Sequence, residues 1–353
     1  MSRGGHCKIP QPTLSNTETT ATAMSSRSDK LGNSSLRTLC SATAVWNQTA
    51  VTIAGNGSRG GSVKQLCNPF DVFVDSNGSI LIADTTNMRV IQWDPNAVSG
   101  VVVVGDLGPG NLSNQLYYPT SVFIYNDSLY VLDYFNFRVQ KYQLNESSYP
   151  LNGTTIVGLF GHGSNNNQIS NSFALFVDSA GNLYISDGYN HRVMLWTQGA
   201  TTGVVVAGGH GYGNMTSQLF YPYGIYVDET SSIFVSDCGN DRVMKWLKGS
   251  NTGIIVAGLN GSGSGNAQLL CPLSVILDEN GYMYIADSNN YRIQQQLPGA
   301  QEGRTIIGGS FGLGSNQLSY VEAIKFDSDW NLIVADTANH RIQKFNLISN
   351  GCD

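Results

Sequence analysis

The chain has 353 residues, room for two ordinary domains or one large all-β domain, and only 12% of it is charged against about 25% in a typical soluble protein. Its 40 Gly, 17 Tyr and 13 Phe point to many short strands and tight turns. A formal net charge of -6 supplies no overall field for a polyanion, which argues against nucleic acid or an acidic membrane as the main partner. No stretch reaches the roughly 18 apolar residues needed to span a bilayer, so no membrane insertion is expected.

In chain order, residues 1–42 are rich in Ser, Thr and Asn and poor in large apolar groups, and no secretory signal is expected within Met1 to Lys30, which lacks an apolar core. A disordered tail is expected there, with a single folded domain over 43–353. Ala50 to Ala54, followed by Gly55, reads as a strand. Beyond it, an Asp closing a short apolar run recurs at Asp84, Asp133, Asp187, Asp237, Asp287 and Asp336. Asn follows three residues after each of them, from Asn87 to Asn339, and Arg five residues after, from Arg89 to Arg341. A period near 50 residues marks a repeat architecture. One unit reads as four strands: Gly224 to Val227, Ile233 to Ser236, Arg242 to Trp246 and Ile254 to Ala257. Each unit therefore looks like a propeller blade, and six units predict an all-β, six-bladed β-propeller of four-stranded antiparallel blades. The last repeat stops after its third strand, Arg341 to Phe345, so the N-terminal strand Ala50 to Ala54 is expected to complete that blade and close the ring.

Two segments, Asp187-Gly-Tyr-Asn190-His191-Arg192-Val193 and Asp336-Thr-Ala-Asn339-His340-Arg341-Ile342-Gln343, resemble the NHL-repeat family, and the resemblance covers about residues 43 to 348. It implies blades whose strands run outward from the axis in sequence order. The family also includes an amidating lyase that holds zinc through His in the central cavity, and RNA-binding domains. Departures from the repeat are local: Ser172 and Val321 stand where other units have Pro, and Tyr125 replaces the Asp found at Asp75, Asp178, Asp228, Asp278 and Asp327.

A residue present in all six units is required by the turn that it occupies, so the recurring Asp, Asn and Arg read as scaffold. Function is sought where the symmetry breaks. His162 and His210 sit in matching Gly-His-Gly segments, while His191 and His340 occupy the repeated turn; no third ligand accompanies them at zinc spacing, so neither a metal nor another cofactor is predicted. No nucleophile elbow or phosphate cradle is present, and no catalytic residue is assigned. Asp71 and Glu322 interrupt small or apolar positions near the start of the innermost strands, with Lys325 nearby, and read as a solvated channel mouth.

The stronger asymmetry is aromatic. In a four-strand meander, the turn joining strands two and three and the loop joining one blade to the next share a face, where Tyr117, Tyr134, Phe135, Phe137, Tyr189 and Tyr223 concentrate in blades 2 to 4. Thr85, Thr86, Ser288, Asn289, Thr337 and Ala338 stand at the corresponding turns elsewhere. The leading reading is a binding module for a protein, peptide or glycan, centred on Phe135 and Phe137. Its rivals are a metal-dependent lyase or hydrolase with a site in the channel, and an RNA-binding NHL domain.

The six Cys show no C-x-x-C spacing, which argues against thiolate metal sites. Strand pairing across the closure should join Cys40 to Cys352, and neighbouring blades should join Cys238 to Cys271, leaving Cys7 and Cys67 unassigned. Ten Asn-x-Ser/Thr sequons, about twice the number expected from composition, point with these pairs to an extracellular glycoprotein.

Overall fold

The computed structural model describes residues 39–40, 42–144 and 151–352. Six four-stranded antiparallel sheets stand in a ring. Their innermost strands are Pro69–Val74, Pro119–Tyr125, Ala174–Val177, Pro222–Val227, Pro272–Leu277 and Val321–Phe326. Blade 4 shows how sequence sets the layers. Its first strand begins at Pro222, two residues before the expected start. The second strand, Ile233–Asp237, is buried at every residue because the neighbouring blades cover both its faces. The outermost strand, Ile254–Ala257, runs from exposed to buried. Between blades the innermost strands pack through successive rings, Phe73 on Phe123 on Phe176 on Tyr226, with centroids 5.3, 5.4 and 5.7 Å apart.

The ring closes as the repeat count required. Val51–Ala54 pairs antiparallel with Arg341–Phe345 and forms the outer strand of blade 6. Val45–Trp46 pairs in turn with Leu347–Ser349. Disulfides Cys40–Cys352 and Cys238–Cys271 are both present. The expected tail lies almost wholly outside the described residues, as does Cys7. At its end, however, Leu39 is fully buried and the Cys40 amide donates to Asn350 O, so these two residues belong to the packed ring. No helix among the described residues is long and apolar enough to cross a membrane.

The recurring triad is a clamp. Each Asp accepts the Arg Nε at 2.7–2.8 Å and the Asn Nδ2 at 2.7–2.9 Å. Its other oxygen takes a backbone N–H just ahead of the blade's first strand, such as that of Phe220 in blade 4. Each Arg also donates to three carbonyls of the preceding loop; for Arg242 these are Asn214, Met215 and Gln218. Loop and turn are thereby tied together on one face. The left-handed residue of the turn is the one after the Asn, namely Met88, Phe137, His191, Asp241, Tyr291 or His340. In three blades its side chain also reaches the next blade's backbone, since His191, Asp241 and His340 accept from the amides of Tyr221, Cys271 and Asn68.

The departure at Tyr125 has a structural cause. In the other blades the Asp folds a longer turn by accepting backbone amides, as Asp228 does from Thr230 and Ser232. Blade 2 instead turns in two residues, Asn126 and Asp127, both left-handed, a type I′ hairpin that needs no such bond.

Candidate functional site: an aromatic face beside the axis

Because each clamp Arg joins its own turn to the preceding loop, turns and loops form one continuous face. In blades 2 and 3 the second residue after the clamp Asp is Phe135 or Tyr189, 41% and 49% exposed. The equivalent residues elsewhere are Thr86, Gly239, Asn289 and Ala338. The Phe135 ring rests on Tyr117, Tyr118 and Tyr134 at 4.9, 5.3 and 4.9 Å, and its amide donates to Tyr117 O. Tyr134 leads at 5.7 Å to Phe173, which lies flat on Tyr223 with centroids 3.7 Å apart. Tyr189 completes the run, 6.3 Å from Phe173 and 5.2 Å from Tyr221. The result is a rigid sheet of rings reaching from the outer loops to the axis. Burial, helped by neighbouring phenols, pushes the Tyr134 hydroxyl well above its ordinary range, and burial together with the Glu322 carboxyl does the same for Tyr223. Both hydroxyls stay protonated and able to donate.

Of the residues expected on this face, the structure brings together Tyr117, Tyr134, Phe135, Tyr189 and Tyr223. Phe137 is placed differently. Its ring is half-buried, 4.6 Å from that of His162, and packs against the core between blades 2 and 3. Phe173, buried at the centre of the patch, was not among the expected residues. The signal was available: it holds the repeat position occupied by Phe70, Thr120, Tyr223, Leu273 and Glu322 in the other units.

Asp71, Glu322 and Lys325 all line one cavity on the axis, but the cavity is only about 30 Å³, enough for about one water. The three side chains thus border a narrow space, with the Lys325 side chain 31% exposed and that of Asp71 10% exposed. Asp71 accepts from Ser121 Oγ at 2.7 Å and from the Val122 amide at 3.1 Å, and Lys325 Nζ lies 3.7 Å from its other oxygen. Glu322 Oε2 is shut away from solvent without a hydrogen-bond partner, and burial pushes its carboxyl up to about 8. At neutral pH it is chiefly a neutral acid. Among the described residues no three His, Cys, Asp or Glu side chains converge on a point that would hold a metal ion. His162 bonds through Nε2 to Ser170 Oγ.

No family model matches the chain, and no curated protein does. Among solved structures it resembles a protein of unknown function from Bacteroides thetaiotaomicron (16% identity, TM-score 0.64, 85% of this chain and 76% of that one). An auxiliary nutrient binding protein from Bacteroides ovatus is also similar (12%, 0.61, 87% and 78%). So is a gluconolactonase from Xanthomonas campestris (12%, 0.58, 86% and 97%). At these identities the likeness is one of fold.

Proposed function

We propose that the chain is an extracellular, non-catalytic binding propeller of NHL type that recognises a protein, peptide or glycan through the aromatic face of blades 2 to 4. The observation that carries this reading is the exposed, pre-ordered run of rings around Phe135 and Tyr189, at positions where the scaffold needs no aromatic. Rigid aromatics supply contact area at low entropic cost. The similarity in fold to a nutrient binding protein supports the same class, and the disulfides fit an oxidising compartment. A channel enzyme has less support, despite the gluconolactonase likeness, because the axial cavity is too small for a substrate and Lys325 already neutralises Asp71. An RNA-binding role lacks the basic charge that it would need.

The test is capture of a partner from extracellular medium with the intact chain and with a Phe135→Ser/Tyr189→Ser double variant. Losing two central anchors should weaken binding by about thirtyfold or more while the melting temperature stays within a degree or so. Phe137→Ser, by contrast, should lower the melting temperature. Unchanged binding by the double variant would refute the assignment.

A further inference from the structure

A groove of about 830 Å³ opens between blades 4 and 5 on the opposite face, beside the turns that join strands one and two. Tyr226, Phe234 and Leu277 line its inside, and Ile254, 54% exposed, lies along its outer side. Around it stand four carboxylates, Asp228, Glu229, Asp278 and Glu279, against one ammonium, Lys245. That ammonium is already engaged, 3.7 Å from Asp228 and 4.8 Å over the Phe234 ring. Glu229 and Glu279 are exposed.

One blade further round, the chain itself shows what such a gap accepts. Between blades 5 and 6 the segment around Trp46 is inserted, with the indole 1% exposed. Its ring packs on Tyr284 and Phe326 at 5.7 and 6.4 Å, its Nε1 donates to Trp330 O at 2.8 Å, and Arg304 donates to Ala44 O at 2.8 Å. By repeat position, Tyr284, Phe326 and Trp330 correspond to Phe234, Leu277 and Gly281, and all three of these line the groove. Gly281 in place of Trp330 leaves blade 5 without a large side chain at that position, although the Trp330 ring itself borders the groove from the next blade. Ile254 in place of Arg304 keeps that side apolar.

We propose that the groove between blades 4 and 5 binds an extended peptide segment of a partner protein, with an aromatic side chain set between Phe234 and Leu277 as Trp46 is set one blade on, and with basic residues beside it facing Glu229 and Glu279. The acidic rim selects the flanks, and the apolar interior holds the anchor. This site lies on the face opposite the aromatic patch and does not depend on it.

The probe is a dye-labelled octapeptide with one tryptophan between lysine pairs, titrated into the full chain and followed by fluorescence anisotropy. Saturable binding is expected, about thirtyfold weaker when alanine replaces the tryptophan. Glu229→Gln/Glu279→Gln should weaken it about fivefold and flatten its salt dependence. Ile254→Lys, at an exposed position, should weaken it as well by setting a positive charge beside the lysines of the probe. Melting temperatures establish that each variant is folded. No saturable binding, binding indifferent to both groove variants, or binding lost in the Phe135→Ser/Tyr189→Ser protein instead would each overturn the proposal.

Discussion

At the repeat position of Glu322 the other five blades carry Phe70, Thr120, Phe173, Tyr223 and Leu273, so a carboxyl stands where the ring otherwise places side chains without charge. Its buried, unpartnered oxygen and its value near 8, against an ordinary 4.5, follow from that placement. A carboxyl raised on folding contributes stability that is fully present below about pH 4.5 and is lost as the pH rises through about 8. Over that window the slope is about 1.4 kcal/mol per pH unit at most. Glu322→Gln keeps the neutral shape and cannot ionise. Urea unfolding midpoints of the two proteins should agree near pH 5 and diverge toward pH 8, with the variant the more stable at the upper end. Midpoints that stay parallel across the range would mean that Glu322 titrates as an exposed carboxylate.

The turn and its clamp are the element that the sequence made plainest, because Asp, Asn and Arg at fixed spacing leave few other accounts than one shared hydrogen-bonded turn. Spacing does not convey which residue takes the left-handed backbone, nor that the half-buried Phe137 ring packs against the core between blades 2 and 3. Trp46 was illegible for a different reason: its role depends on contacts with blades 5 and 6, and it lies before the first repeat begins. The clamp itself gives a sharp expectation. Asp237 is wholly buried and Arg242 nearly so. Removing the guanidinium in Arg242→Ala leaves a buried carboxylate and three loop carbonyls without their donor, so a loss of about 3 to 5 kcal/mol is expected in urea unfolding. Lys245→Ala, which removes a partly exposed ammonium from the same blade, should cost under about 1 kcal/mol. Comparable losses from the two would show that the clamp is not what holds the loop.

In the whole molecule, closure is where the two ends of the chain carry most weight. The strand Val51–Ala54 hides the outer edge of Arg341–Phe345, while Trp46, Leu39 and the Cys40–Cys352 disulfide fasten the segment before it to blades 5 and 6. Ring order was legible because the last repeat lacked a fourth strand and the N-terminus offered one. Tail packing was less legible, because Leu39 and Cys40 sit in a polar stretch that gives no periodic signal. Deleting residues 1–56 removes the strand, the indole and the disulfide together and exposes an apolar strand edge, so that variant should aggregate. Cutting the disulfide alone separates the contributions. By the chain-entropy model, a crosslink spanning 312 residues is worth at most roughly 5 to 6 kcal/mol, and the 33-residue span of Cys238–Cys271 roughly 3 to 4. Cys40→Ser/Cys352→Ser should therefore remain a folded ring held by its strand pairing, but unfold at lower urea than either the intact protein or Cys238→Ser/Cys271→Ser. If the closure variant matches the intact protein, the strand and Trp46 hold the ring without help. If the 1–56 deletion stays soluble with one cooperative transition, the ring does not rely on that strand at all.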